Sequence, residues 1–223
     1  MSVVVTNVDG RPDEVRSCLD SVVRSSYRNI EILVLIDGAS RSNAAVLRSY
    51  ARWDPRIGIV DQPMGSASRP GSALPNGHYL MVIKASERLE KTAVATLVKV
   101  LRLSESDFAV ALDGQGSDEA SWMSADSARL DGMNCLGLTI ATCPDYPAAD
   151  SMSGKLFRHG FLTDLGWTVN AAATIDQRHL VDRAYRWGRF DLVTDRVRWR
   201  PDADASQVPS SSEATVTMSS ADS

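Results

Sequence analysis

Short aliphatic runs alternate with amphipathic helical patterns from the second residue onward, and this alternation restricts the chain to a narrow group of folds. Ser2 to Thr6 is a short β-branched run. Asp13 to Ser25 then puts Val15, Cys18, Leu19, Val22 and Val23 on one helical face, with Pro12 suited to the first helical position. Glu31 to Ile36 is almost continuously aliphatic, as in a strand covered on both faces. Ser42 is placed to cap a helix that carries Val46, Leu47, Tyr50 and Ala51 inward. Ile57 to Val60 reads as a third strand and Tyr79 to Ile83 as a fourth. Val94, Leu97, Val98 and Leu101 form the apolar stripe of a further helix, and Asp107 to Leu112 another strand. Such units predict an α/β domain whose mainly parallel sheet is flanked by helices and joined by right-handed crossovers.

Open sheets of this kind bind ligands at the carboxyl ends of their strands. Thr6, Asp37 and Lys84 each fall at the end of a predicted strand, so parallel strands put all three along one edge. The second half is less regular. Gly114 to Asp150 is rich in Gly, Ser, Asp and Ala and is expected to form loops and short elements over that edge. Regular patterns return at Lys155 to Leu165 and at Asp176 to Trp187, where Leu180, Val181, Ala184 and Tyr185 share a face. After Pro201 the residues are mostly Ser, Ala, Asp and Pro with little to bury. The expected organisation is one domain over 1–200 and a disordered tail over 201–223.

Composition narrows the function classes. A chain of 223 residues suffices for one well-filled core. A net charge of -4 argues against a dedicated nucleic-acid binder, since phosphate backbones reward basic surfaces. No apolar run approaches the roughly 20 residues of a membrane span. The opening MSVVVTNVDG lacks the basic stretch expected of a signal peptide. Cys18, Cys135 and Cys143 have no metal-type spacing and fit reduced thiols in a cytoplasmic protein. Phosphate-loop, dinucleotide-binding, zinc-protease and nucleophile-elbow signatures are absent from the sequence.

An ordered set of short motifs resembles family-two glycosyltransferases. It begins with the strand Ser2 to Thr6 and continues through Cys18-Leu19-Asp20-Ser21-Val22, Tyr27, Asn29-Ile30-Glu31, Asp37-Gly38 and Asp54-Pro55-Arg56-Ile57. Lys155-Leu156-Phe157-Arg158, Phe161-Leu162 and Ile175-Asp176-Gln177 are similar to the acceptor-side half. The style is that of bacterial enzymes building teichoic-acid-like and capsular polymers. The resemblance implies a GT-A (nucleotide-diphospho-sugar transferase) fold. It also implies transfer of a sugar from a nucleotide-sugar, a UDP-sugar, to a carbohydrate or polyol-phosphate acceptor. A cell-envelope enzyme is an implied partner, through which a cytoplasmic protein would sit at the inner membrane face.

Several positions carry family roles by this resemblance. Asp37 and Gly38 match the family's base-contacting turn, and a common Asp-Gly turn explains the same pair. Thr6 stands where the family usually has Pro. Arg69 is the candidate phosphate contact of a shortened loop. Asp176 matches the catalytic base, and it is equally a natural helix N-cap. The family's strand-end D-x-D-D holds a divalent metal (Mn or Mg) against the diphosphate. Here the aligned residues are Lys84, Ala85, Ser86 and Glu87, so the expected metal ligands are missing. A lysine can offset diphosphate charge directly, or it can be a tolerated residue in a retired site. The readings are therefore a sugar transferase, a non-catalytic GT-A domain acting as a binding or scaffold partner, and nucleotidyl transfer on a related fold.

Overall fold

Strand β1 (Ser2–Thr6) is buried along its whole length and lies between β2 (Glu31–Asp37) and β4 (Tyr79–Lys84), parallel to both. Strand β3 (Ile57–Gln62) adds in parallel outside β2. On the other side of β4, β8 (Lys155–Arg158) joins antiparallel and pairs in turn with β6 (Phe108–Ala111). Strand β9 (Phe190–Val193) runs parallel to β6, and β7 (Cys135–Leu138) pairs antiparallel with β9. The 8-stranded sheet has the order β3-β2-β1-β4-β8-β6-β9-β7. Only β8 and β7 run against the rest, so the sheet is mainly parallel, as predicted. A second, two-stranded sheet pairs β5 (Arg88–Leu89) with β10 (Trp199–Arg200). This computed structural model describes residues 1–37, 43–62, 75–111, 135–143, 151–168, 177–193 and 199–200.

Helices cover both faces. Helices α1 (Pro12–Val23), α2 (Ala44–Trp53) and α3 (Ala93–Ser104) press Leu19, Val22, Leu47, Leu97 and Leu101 onto Val3, Val5, Ile32, Val34, Met81 and Ile83. Helices α4 (His159–Asp164) and α5 (Gln177–Trp187) cover the opposite face with Leu162, Val181 and Ala184. The residues beneath them include Leu80, Val82, Phe108, Val110, Phe157 and Phe190. Alternate residues of each strand therefore enter alternate cores, which explains the continuous aliphatic runs.

The structure corrects several element boundaries. Strands β3 and β4 run on through Gln62 and Lys84, because backbone pairing with β2 and β1 continues past the last apolar side chain. Lys155 to Leu165 divides into β8 and α4. Strand β7 is one of the short elements expected between Gly114 and Asp150. The α2 N-cap is Asn43, whose amide donates to the carbonyls of Val8 at 2.6 Å and Gly10 at 2.9 Å. Ser42, the expected cap, lies outside the described residues, as does the tail expected over 201–223. Gly77 must be glycine: a Cβ there would sit 2.5 Å from the backbone of Met1 and Ser2.

The entry to β3 is held by an ion pair. Asp54 accepts from Arg56 Nη2 at 2.6 Å, from Nε at 3.0 Å and from the Arg56 backbone N–H at 3.0 Å. Arg56 also donates to the carbonyl of Val23 at the end of α1. The guanidinium hydrogen bonds hold the Asp54 carboxyl below its ordinary range, more than burial raises it. Its contribution to stability is present above the unfolded value of about 3.9 and is lost as pH falls through the lower folded value. Asp54→Asn is expected to cost about 1–2 kcal/mol near neutral pH. Urea unfolding near pH 7 and near pH 3 checks this, and an equal gap between variant and parent at both would refute it.

Candidate functional site

Three neighbouring parallel strands, β2, β1 and β4, end along one edge of the sheet. Thr6 and Lys84 are register partners there, and Ala85 N–H donates to the Thr6 carbonyl at 2.9 Å. Thr6 is buried and turns its hydroxyl onto the Ile83 carbonyl at 3.3 Å. Lys84 is exposed. Val4, Leu80 and Val82 face α4 and α5, so the period of two puts Thr6 and Lys84 on that same face. Asp37 ends β2 opposite Gln62. Gly38, Arg69 and Asp176 lie outside the described residues, with Asp176 immediately before α5 in the sequence.

The turn after β4 is closed by a carboxylate. Glu87 is 3% exposed. One of its oxygens accepts the Lys84 backbone N–H at 2.9 Å, and the other accepts the Ser153 hydroxyl at 2.7 Å. Glu87 N–H in turn donates to the Lys84 carbonyl at 2.9 Å. Ser86 is half-buried within this turn. Cys18 of α1 supports the turn from below, its Sγ 3.5 Å from the Lys84 carbonyl. Burial above all, with the Glu87 charge adding to it, pushes the Cys18 thiol up and keeps it protonated.

These residues do not fit a divalent metal. Lys84 is itself a cation, and both Glu87 oxygens already accept hydrogen bonds inside the fold. Among the described residues no group of three or more His, Cys, Asp or Glu side chains could hold a metal ion. The position where the resemblance implies metal ligands instead presents an ammonium on a clamped turn.

A second turn completes the edge and was not singled out from the sequence. Ser151 to Gly154 precedes β8, with Gly154 at φ +69°, a conformation that favours glycine. The Gly154 carbonyl accepts Ala111 N–H at 2.8 Å. Ser153 reaches Glu87, as above. Met152 N–H approaches Gln177 Oε1, at the first residue of α5, at 3.4 Å. Lys155 is 2% exposed and its ammonium donates to the Ser151 carbonyl at 2.7 Å. The turn thus ties the end of β4 to the start of α5. The available sequence signal was a lysine opening a strand directly before Leu156 and Phe157, since a buried cation needs acceptors nearby. A cavity of about 730 Å³ between Met1, Tyr79, Asp107, Arg158 and Phe161 lies at the opposite edge, away from these groups.

The model of Glycosyl transferase family 2 matches residues 2–130. The chain is similar to Glycosyltransferase GlyA of Streptococcus pneumoniae, 30% identical over 111 residues, covering 48% of this chain and 16% of that protein. It is also similar to YibD of Escherichia coli, an uncharacterized glycosyltransferase, 23% identical over 100 residues and covering 44% of this chain and 29% of that protein. The matches thus span less than a third of these relatives' lengths. Among solved structures, S. aureus TarS 1-349 in complex with UDP-GlcNAc superposes with a TM-score of 0.63 at 12% identity, covering 89% of this chain and 57% of that one. The mannosyltransferase PcManGT from Pyrobaculum calidifontis, in complex with GDP-Man and Mn2+, gives 0.60 at 13% identity, covering 87% and 55%. At such identities the likeness establishes the GT-A fold. No helix among the described residues is long and apolar enough to cross a membrane.

Proposed function

The chain belongs to glycosyltransferase family 2, and we propose that it binds a nucleotide-sugar, a UDP-sugar, at the carboxyl edge of its sheet and transfers the sugar with inversion to a carbohydrate or polyol-phosphate acceptor of the cell envelope. The observation that carries this reading is the exposed ammonium of Lys84 at the end of β4, in register with Thr6. A departing diphosphate needs a nearby cation, and Lys84 supplies one without a metal. Asp37 and Gly38 receive the base, and Arg69 approaches the phosphates. Asp176 takes the proton of the acceptor hydroxyl as that oxygen bonds the anomeric carbon. The bond between that carbon and the diphosphate oxygen breaks, and its electron pair leaves with the nucleoside diphosphate. The clamped turn keeps the Lys84 backbone fixed, so little reorganisation accompanies the charge that develops.

Calorimetric titration with UDP and UDP-sugars, in chelator and in manganese, tests the reading. Binding is expected in chelator, and Lys84→Ala is expected to weaken it by about tenfold or more. If no UDP or UDP-sugar binds under any metal condition and Lys84→Ala is silent, the domain is instead a non-catalytic scaffold. The replacement of the carboxylate position by Lys84 is what favours that second reading. Turnover that requires metal would refute the proposed role of Lys84.

A further inference from the structure

The cavity of about 730 Å³ at the edge opposite Thr6 and Lys84 takes no part in the donor site. Tyr79 opens β4 at that edge and Lys84 closes the strand at the other. Five residues of strand, at about 3.3 Å each, put roughly 17 Å between them. The volume lies within the range of about 300–1,000 Å³ usual for small-ligand sites. Backbone pairing fixes the walls. Tyr79 and Arg158 are register partners. The Arg158 N–H donates to the Asp107 carbonyl at 2.8 Å, and the His159 N–H to the His78 carbonyl at 2.9 Å. The Arg158 guanidinium closes the end of α3, with Nε donating to the Ser106 carbonyl at 2.7 Å and Nη2 to the Leu101 carbonyl at 2.9 Å. It lies over the Tyr79 ring, 5.8 Å from its centre.

The lining combines apolar rings with donors and acceptors. Tyr27 and Tyr79 are half-buried and pack against the core, each an apolar ring with a polar tip. Arg102 and Asp164 are exposed, and among the described residues neither side chain has a hydrogen bond or ion pair. A guanidinium offers donors only and a carboxylate acceptors only. A sugar hydroxyl both donates and accepts, so it uses the two kinds side by side, while the C–H face of its ring suits the tyrosines. Charge decides between ligand classes. With His78 taken as neutral, the guanidiniums of Arg102 and Arg158 are matched by the carboxylates of Asp107 and Asp164. Asp107 uses Oδ2 to accept the Arg189 N–H at 2.8 Å. The Met1 amine, also at the cavity, donates to the Asn29 carbonyl at 3.1 Å and has the Glu31 carboxylate as its charge partner. So balanced a lining exerts little net pull on a phosphate and suits a neutral ligand rich in hydroxyls.

We infer that this cavity is a second saccharide site, which holds a neutral oligosaccharide segment of the acceptor away from the donor edge. Recognition of a sugar rests on the lining; that the sugar belongs to the acceptor rests on the transfer reaction proposed above. A polymer long enough to span both edges is then held at two places, which raises the effective concentration of its end at the donor site.

The test titrates the full chain with tetrasaccharides of glucose, galactose, mannose and N-acetylglucosamine, and separately with UDP. At least one tetrasaccharide is expected to bind, and saturating inorganic phosphate to leave it bound. If none binds, or if phosphate displaces the sugar, the inference is overturned. Raising NaCl from about 0.05 to about 0.5 M is expected to change the affinity by less than about twofold, because the ligand carries no charge. The double variant Arg102→Ala, Asp164→Ala removes one charge of each sign and leaves the net charge as it was. It is expected to weaken the sugar about tenfold or more while the thermal midpoint and the UDP affinity stay put. Undiminished sugar affinity in that variant would place the sugar elsewhere and refute the assignment. The parent gives a second readout by NMR: the ring protons of Tyr27 and Tyr79 are expected to shift at saturation, and unmoved rings refute it too. A parent that binds the sugar but no UDP upholds the cavity site and sinks the nucleotide-sugar reading alone. One that binds UDP but no sugar does the reverse.

Discussion

Phe108→Ala is expected to lower folding stability by about 3–5 kcal/mol, the usual cost of emptying an aromatic site in a closed core. Phe108 has no exposed surface. Its ring stacks on Phe157 at 5.1 Å and Phe190 at 5.5 Å, lies near-parallel to Phe161 at 6.3 Å, and meets Tyr185 edge-on at 4.9 Å. Those partners come from β8, β9, α4 and α5, so one ring joins four elements. Surrounding rings cannot collapse into the vacancy without moving the strands that carry them. Phe108→Leu refills part of the space and is expected to lose about half as much. Urea unfolding followed by tryptophan fluorescence measures both. A loss below about 1 kcal/mol for the alanine variant would show that the cluster is not closed in the way described. The effect reaches the site, because this cluster sets how β8 and α5 sit, and with them Lys155 and Gln177.

The first half of the chain was legible because its strands are buried on both faces. Val3 to Val5, Leu33 to Leu35 and Leu80 to Val82 have no polar alternative, and they form three adjacent interior strands of the sheet. Their ends were less legible. Thr6 and Lys84 pair with each other through backbone groups that side-chain hydropathy does not report. Strand β7 was unreadable for a different reason. None of Cys135 to Leu138 is fully buried, and Gly137 has φ +69°. Strand β8 has only four residues, with a lysine and an arginine at its ends, so no alternation marks it. At the candidate site, the convergence of Thr6 and Lys84 followed from parallel strands. The engagement of Glu87 did not, because its partner Ser153 is 66 positions away in sequence. A short motif reports local chemistry, whereas the role of a carboxylate depends on what the rest of the fold brings to it. Read by its position alone, Glu87 is a remnant ligand; read with Ser153, it is a clamp.

That distinction has a measurable consequence. Glu87→Ala is expected to cost about 3 kcal/mol of stability, because the Lys84 N–H and the Ser153 hydroxyl lose a charged acceptor in a buried place. Glu87→Gln is expected to cost less than about 1 kcal/mol. A glutamine of the same shape can still accept the Lys84 N–H through its carbonyl oxygen and donate its amide to the Ser153 hydroxyl, which can itself accept. A clamp depends on geometry and tolerates this exchange of charge for an amide. A metal ligand does not, since the amide binds a divalent cation far more weakly than a carboxylate. The two variants therefore separate the roles when stability and UDP binding are measured together. If Glu87 is a clamp, the glutamine variant keeps both the thermal midpoint and the UDP affinity in chelator, and the alanine variant loses both as the turn beneath Lys84 relaxes. If the glutamine variant folds like the parent yet loses a metal-dependent affinity, Glu87 is a ligand after all. Ser153→Ala is the internal control. It removes one of the two carboxylate contacts from the opposite side, and it is expected to reproduce about half of the alanine effect. Agreement between two residues so far apart in sequence would be hard to obtain unless the end of β4 and the turn before β8 form one mechanical unit.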